Sequence, residues 1–429
     1  MRLLYREDIN EALGDEVPLL SCSLPTPGPT EPAKTRAFLE GLLPEGRALR
    51  TMASKQDVLL LNDAPATLED LTSLLGGYGW ECAGAIMAIP HGTSPPTDSR
   101  YQPLDDQAVA ERIMALPWHP LGNDPELDIR MSLGGAQPKL LLSRFDGRWH
   151  DPIAGAPSTH ILKPTVTWPF SAQNESLVMN LARSLKLTPV SSWVEYVAET
   201  ACLVTERYDR VIVDGKIVRL HQEDMCQALG IRPIDKYNVG NLNQRMVRLL
   251  REFTEAPSDQ IMELFRQIAF RALVGDEDGH GKNVSLMLDT GSVELAPLYD
   301  SICTLAYPEL NGKMVAPIGE QHYLAKVDRD ALLDEATRMG LVGAEAGEAL
   351  DELVSQLRSA LGLIPSDVLN GWPSEELIGL LDSRMNRLEH GQQMGRDPLS
   401  RVWLGASMDS ARPRPPASGI AFSEASRAP

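Results

Sequence analysis

Gly275-Asp-Glu-Asp-Gly-His-Gly-Lys-Asn283 is the stretch on which the reading of this 429-residue chain turns. A carboxylate, Asp278, and a carboxamide, Asn283, stand five residues apart in a segment loosened by glycines. Upstream, Ile261, Leu264, Phe265, Ile268 and Ala272 recur at helical spacing behind Ser258 and Asp259, residues suited to cap a helix, so the segment should begin where an amphipathic helix ends. Downstream, apolar runs at 284–288 and 293–295 flank a turn-forming 289–291, and Asp300 follows. Carboxylate and amide oxygens in this order suit phosphoryl transfer. One Asp takes or orients the proton of the acceptor hydroxyl, while an Asn and a second Asp offer hard oxygen ligands to a magnesium ion on the nucleotide phosphates. Asp and Asn also occupy loops simply because they make turns; the following hairpin and Asp300 favour the chemical reading.

Three further segments fit that chemistry. Ser132-Leu-Gly-Gly-Ala-Gln-Pro-Lys139 lies between strand-like runs, and its glycines allow backbone N–H groups to converge on phosphate oxygens, with Lys139 adding charge. It is neither a Walker loop nor a Gly-x-Gly-x-x-Gly string, and a Gly-Gly pair between strands is often only a turn. The string Gly76-Gly-Tyr-Gly79 is read as such a turn. His160-Ile-Leu-Lys163 ends a β-like run with a lysine, and Glu175 follows on a helix whose apolar face is Leu177, Val178, Leu181 and Leu185. A strand lysine paired with a helix glutamate is how kinases hold nucleotide phosphates. Glu206-Arg-Tyr-Asp-Arg210 stands where a kinase has the hinge between its lobes, and the backbone at Glu206 and Tyr208 is placed to bond an adenine edge.

Organisation follows from pattern. Residues 1–100 read as a small α+β module with one helix around Phe38, Leu39, Leu42 and Leu43, then a strand at 82–89; proline-rich 90–104 has linker composition. Residues 101–220 read as a sheet with one helix, marked by Asp146-Gly147 and Asp214-Gly215, strong hairpin turns between β-favouring runs. Residues 221–390 read as mostly helical, with later helices near 329–339, 344–361 and 374–390, the last opening on a capping box at Ser374. Residues 391–429 read as a mobile tail, in which Gly391-Gln-Gln-Met-Gly-Arg-Asp397 resembles part of a common expression tag and is set aside from the fold.

Composition narrows the class. With 43% hydrophobic and 23% charged residues, the chain is an ordinary folded one. Forty Lys and Arg against 59 Asp and Glu give a net charge of −19, which argues against a surface built to hold nucleic acid and suits a basic partner. The amino terminus meets charges at once and no run nears the ~18 apolar residues of a membrane span, so no membrane contact and a cytoplasmic location are expected. Five widely spaced cysteines suggest reduced, buried thiols rather than zinc or disulfides.

In this order the segments resemble the HipA family of toxin serine/threonine kinases. The resemblance also includes Phe38-Leu-Glu-Gly-Leu-Leu-Pro-Glu45, Arg219-Leu-His-Gln-Glu-Asp-Met-Cys-Gln227, Leu295-Ala-Pro-Leu-Tyr-Asp300 and Lys313-Met-Val-Ala-Pro-Ile-Gly319, and spans about residues 30–390. It implies an α+β, two-lobed protein-kinase-like fold with a small N-terminal subdomain and a mainly helical C-terminal lobe. It also implies use of ATP and Mg²⁺ and phosphorylation of protein serine or threonine. By the same resemblance Asp278 is the catalytic base, and Asn283 and Asp300 hold metal. Gly134, Gly135, Ala136, Gln137 and Lys139 form the phosphate loop and Lys163 contacts phosphates. Glu206, Arg207 and Tyr208 hold the adenine, and Gln222, His280, Gly281, Lys282 and Tyr299 line the nucleotide. Ser132 matches an autophosphorylated serine. A small helix-turn-helix antitoxin that binds operator DNA is the implied partner, so DNA contact would be indirect, and an aminoacyl-tRNA synthetase is the implied substrate class. Pro138 departs from the family by removing an N–H from the phosphate loop, and His221 stands where proline is common. Two other readings are a catalytically silent kinase-like scaffold that serves an antitoxin as corepressor, and a small-molecule phosphotransferase using the same Asp and Asn.

Overall fold

The computed structural model describes residues 4–6, 9, 17–26, 30–165, 168–289 and 292–404. The N-terminal module has three helices, α1 (Pro32–Gly41), α2 (Gly46–Lys55) and α3 (Leu68–Tyr78), with its strands reduced to the two-residue β1 (Leu60–Leu61) and β2 (Ala64–Pro65). Phe38, Leu42, Leu49, Met52, Leu71 and Leu74 share one core. Two expectations fail here. Residues 76–79 are not a free turn but the end of α3, carried by the stripe Leu71, Leu74, Leu75 and Tyr78. The glycines serve packing, since a Cβ on Gly77 would collide with the Gln56 side chain. Residues 82–89 are a loop, not a strand. Their polar backbone pairs with side chains instead of a neighbouring strand: the Cys82 carbonyl accepts from Arg207 at 3.0 Å and Arg210 at 2.9 Å, and the Gly84 N–H donates to Asp209 at 2.8 Å.

The stretch expected as linker ends in a strand, β3 (Arg100–Leu104), where Pro103 is tolerated because β3 is an edge. After α4 (Asp106–Ala115) come β4 (Leu140–Phe145), β5 (Arg148–Ile153), β6 (His160–Pro164), α5 (Ser171–Ser184), β7 (Ser192–Val197) and β8 (Thr200–Glu206). They form a six-stranded antiparallel sheet in the order β3-β5-β4-β6-β8-β7. Asp146 and Gly147, at φ 48° and 76°, make the two-residue turn that fixes the β4–β5 register. Asp214 and Gly215 do the same for β9 (Arg210–Val213) and β10 (Lys216–Arg219).

The second lobe comprises β11 (His221–Asp224), α6 (Met225–Ala228), α7 (Leu242–Phe253), α8 (Pro257–Val274), β12 (Ser285–Asp289), β13 (Ser292–Leu295), β14 (Lys313–Ile318) and β15 (Gln321–Tyr323), then α9 (Arg329–Met339), α10 (Gly343–Leu361), α11 (Ser366–Leu369) and α12 (Ser374–Glu389). The lobe thus holds a β11-β12-β13 sheet and a β14–β15 hairpin among its helices. The start signals read at two helices are wrong in detail. Ser258 and Asp259 sit inside α8, which opens on Pro257, and Ser374 caps nothing, its hydroxyl donating to the Leu369 carbonyl at 2.7 Å. One apolar cluster joins α5 to α8, α10 and α12 through Leu177, Leu181, Phe270, Leu350 and Leu381, so the helix bearing Glu175 is seated on the second lobe. All five cysteines are buried free thiols. No helix among the described residues is long and apolar enough to cross a membrane.

The expected tail is also corrected. Residues 391–404 pack on the second lobe: Met394 and Trp403 are fully buried, and Arg396 donates to the Leu310 and Tyr307 carbonyls. Trp403 meets Phe170, Tyr307 and Trp372 edge-on. Low periodicity hid this, because an extended segment buries single anchors rather than a stripe. Residues 405–429 lie outside the described residues.

A buried ion network locks the N-terminal module to the sheet and the hairpin that follows it. Glu81, fully buried at the end of the N-terminal module, accepts from Arg207 at 3.1 Å, Arg210 at 2.9 Å and Arg219 at 2.7 Å, and Asp209 pairs with Arg207 at 2.8 Å. Burial alone would raise Asp209, but Arg207 and Arg210 pull it down to about 2.

Two predictions follow from packing and charge. Trp403→Ala should lower unfolding stability by about 3–5 kcal/mol, read by urea denaturation, because it empties a filled aromatic cluster. A loss within error would show the segment to be peripheral. The folded pKa of Asp209 is depressed, so its stabilisation is present above about pH 4 and lost as pH falls towards 2. Asp209→Asn should therefore reduce stability at neutral pH by about 3 kcal/mol or more and flatten the acid limb of the stability profile between those limits.

Candidate active site

Helix α8 stops because Gly275 turns to φ 77°, a position where a Cβ would lie 3.0 Å from Leu305 and 3.3 Å from the Cys303 sulfur. The chain leaves the helix into a loop organised by two residues that the sequence did not single out. Asp276 accepts the Asp278 N–H at 3.0 Å and the Ser301 hydroxyl at 2.8 Å. Arg271, from the last turn of α8, pairs with Asp276 and donates to the carbonyls of Asn283 at 3.0 Å and Tyr299 at 2.8 Å. One guanidinium therefore ties the Asp278–Asn283 loop to the segment that carries Asp300. The available signal was a charged residue among apolar neighbours at the buried end of a helix. The Asn283 side-chain amide donates to the Asp278 carbonyl at 2.8 Å, which fixes the orientation of the carboxamide within the loop. Partial burial, with Asp276 and Asp300 nearby, pushes Asp278 up to about 7.

The other half of the site comes from the first lobe. Lys163, on the central strand β6, has 7% of its side chain exposed and bonds Glu175 of α5 at 2.7 Å and Asp300 of the second lobe. Burial opposes the ammonium, but Asp300 and Glu175 more than offset it and hold Lys163 above the ordinary lysine range. Burial would likewise raise Asp300, yet Lys163 and Lys139 keep it well below the usual carboxylate range. Glu175, fully enclosed, is pushed up to about 7 by burial. Asp300 sits at φ 53°, a left-handed conformation that a non-glycine residue adopts only under constraint.

Ser132 to Lys139 reach the same region. The Lys139 ammonium folds back onto the Gly134 carbonyl at 2.7 Å, and burial beside Lys163 lowers its pKa to about 8. Ala136 and Pro138 are exposed, while Gly134, Gly135 and Gln137 are partly buried. Ser132 is fully buried, its hydroxyl donating to the Leu42 carbonyl and its N–H to the Glu81 carbonyl, each at 2.8 Å.

The remaining residues divide. Tyr208 donates to Gln222 at 2.9 Å and its ring lies 5.4 Å from that of Tyr299, whose hydroxyl bonds the Lys282 carbonyl at 2.7 Å. Glu206 is exposed at the end of β8. The Arg207 guanidinium is buried in the Glu81 network, so any contact of this residue with a nucleotide is left to its backbone. Lys282 is also committed inward, to Asp224 at 2.7 Å and the Gly41 carbonyl at 3.2 Å. A Cβ on Gly281 would meet the Cys226 sulfur at 2.8 Å, so this glycine serves packing. His280 is buried, pushed down to about 3 by burial and therefore neutral, with its Nδ1 lacking a partner. His221, the departure from the family pattern, bonds the Leu20 carbonyl at 2.8 Å through Nε2 and so ties the N-terminal residues to β11.

Comparison with known proteins identifies the family and agrees with the fold. The profile of the HipA-like C-terminal domain matches residues 131–361. Y4mE of Sinorhizobium fredii, provisionally named a kinase, is 35% identical over 366 residues, which cover 83% of this chain and 85% of that one. The serine/threonine-protein kinase toxin HipA of Shewanella oneidensis is 27% identical over 320 residues, 70% of each chain. Among solved structures, the complex of HipA, HipB and operator DNA from Shewanella oneidensis MR-1 superposes with a TM-score of 0.73 at 22% identity, over 90% of both chains, and shares the two-lobed α+β architecture. With the profile spanning every site residue from Ser132 to Asp300 and a relative aligned over most of both chains, this chain belongs to the HipA family.

Proposed function

We propose that this chain is an ATP-dependent serine/threonine-protein kinase acting as the toxin of a toxin–antitoxin module. The observation that carries the reading is the Lys163 ammonium, held at once by Glu175 of its own lobe and Asp300 of the other. That triad assembles only if the two lobes close on a common cleft, and it leaves Lys163 and Lys139 placed for nucleotide phosphates. Asp278, poised near neutrality, takes the proton of the acceptor hydroxyl as the phosphoryl group arrives. Tyr208 and the backbone from Glu206 to Tyr208 border the adenine, with Gln222 and Tyr299 behind them.

The residues fit magnesium. Asn283 and Asp300 present hard oxygens, and Asp300 already attracts a cation in the form of the Lys163 ammonium. Among the described residues no group of three or more acidic, His or Cys side chains is placed to hold a metal ion by itself. Mg²⁺, when bound, would neutralise charge developing on those phosphates.

Ser132 is proposed as an autophosphorylation site. In the closed loop it is inaccessible, so the loop must leave its seat for Ser132 to react. A phosphate of about −1.5 to −2 charges has no place between the Leu42 and Glu81 carbonyls, and the modified loop should stay out, switching the enzyme off. The division into 1–100, 101–220 and 221–390 is proposed as N-terminal subdomain, kinase N-lobe and kinase C-lobe. The HipA–HipB–DNA neighbour supports a HipB-like antitoxin as partner, and a net charge of −19 agrees with DNA contact through that partner only. An aminoacyl-tRNA synthetase remains the proposed substrate class.

The test is transfer of radiolabel from ATP to Ser132 and to proteins of a bacterial lysate. Asp278→Ala should cut transfer by about 10²- to 10⁴-fold and relieve growth arrest, with circular dichroism unchanged. Ser132→Ala should lose self-labelling alone. Absence of transfer from folded wild type with Mg²⁺ or Mn²⁺ rejects the kinase reading. Full repression by an Asp278→Ala complex, with no arrest by wild type, would favour the corepressor scaffold.

A further inference from the structure

Residues 41–45, the turn between α1 and α2 of the N-terminal module, make four polar contacts with three distant parts of the chain. The Ser132 hydroxyl donates to the Leu42 carbonyl at 2.8 Å, and the Glu45 N–H donates to the Gly135 carbonyl at 3.0 Å. Lys282 donates to the Gly41 carbonyl at 3.2 Å, and Lys236 meets a Glu45 carboxylate oxygen at 2.7 Å. A single turn therefore holds the phosphate loop at Ser132 and Gly135 and the Asp278–Asn283 loop at Lys282. Gly134 lies so close to this turn that a Cβ there would sit 3.1 Å from the Gly41 carbonyl.

The Lys236 contact extends the reach of Glu45. Lys236 has 8% of its side chain exposed, and its ammonium lies 5.1 Å from the centre of the Tyr237 ring. Tyr237 in turn meets the His280 ring edge-on at 5.4 Å, two residues from Asp278. The second carboxylate oxygen of Glu45 is buried without a hydrogen bond, and Lys236 is the cation in direct contact with the first. A glycine-rich segment outside any strand ladder has little order of its own and takes its shape from such external bonds.

We infer that Glu45 is a positioning residue of the nucleotide site, which through Lys236 and the Gly135 carbonyl holds the phosphate loop at a fixed spacing from the Asp278–Asn283 loop. The N-terminal module is on this view a working part of the kinase, in addition to any docking role. The inference rests on the kinase reading for its catalytic consequence, but not for the clasp itself.

Two readouts on the full chain separate them. Hydrogen exchange of the nucleotide-free protein should show faster exchange at residues 133–137 in Glu45→Gln and in Lys236→Met. Steady-state kinetics should show KM for ATP raised by about fivefold or more with kcat changed less than about twofold, the size expected for one charge-assisted hydrogen bond acting on binding. The double variant should be no worse than either single one, because both remove the same contact. Exchange and KM equal to wild type in both single variants would overturn the inference, as would a fall in kcat with both unchanged. If Glu45→Gln does not fold, Lys236→Met, which keeps an aliphatic stem, decides alone. If wild type neither binds nor turns over ATP, the kinase reading fails while the exchange comparison still decides whether the clasp exists.

Discussion

Lys163 lies on the central strand of a six-stranded sheet, and an ammonium at that depth is tolerated only where carboxylates meet it. Glu175 comes from the helix packed beside the sheet, and Asp300 comes from the other lobe across the cleft. The ion group therefore measures whether the lobes are correctly seated, and each partner constrains the others. Asp300 accepts a left-handed backbone to take part. Removing Lys163 would leave Glu175 buried beside Asp300 with no cation between them, whereas removing either carboxylate leaves Lys163 a single partner.

Two further charge networks flank the site. Beneath the site, Arg271 and Asp276 convert the end of a helix into a frame for Asp278, Asn283 and the chain before Asp300. Above it, Glu81 gathers Arg207, Arg210 and Arg219 and so ties the N-terminal module to the end of the sheet and the hairpin after it. Both networks decide where the candidate site residues stand, and both consist of charges that would be costly if unpaired.

Features of the fold that depend on neighbours in sequence were legible in advance. The two Asp-Gly hairpins, helix α5 with its apolar face, and helices α8 to α10 follow from turn chemistry and a 3.6-residue period. The errors share a different cause. Residues 82–89 carry β-like composition but spend their backbone groups on Arg207, Arg210 and Asp209, more than 120 residues away in sequence. Residues 391–404 lack any period because Met394 and Trp403 are isolated anchors. The glycines at 76–79 suggested freedom, whereas the neighbouring Gln56 makes at least one of them a packing requirement.

By itself, the sequence determined the inventory of the site and its order along the chain: an Asp and an Asn five residues apart, a later Asp, a strand lysine, a helix glutamate and a glycine-rich loop. Those follow from local chemistry, since loop, strand and helix signals are written within a few residues of each group. Only the tertiary structure decided that Lys163 meets Asp300, that Arg271 and Asp276 hold the loop, that Ser132 is sealed under the N-terminal turn, and that Lys282 and Arg207 face inward. These are long-range pairings of charge and hydrogen bonds, selected by which lobes can pack together rather than by any neighbouring residue.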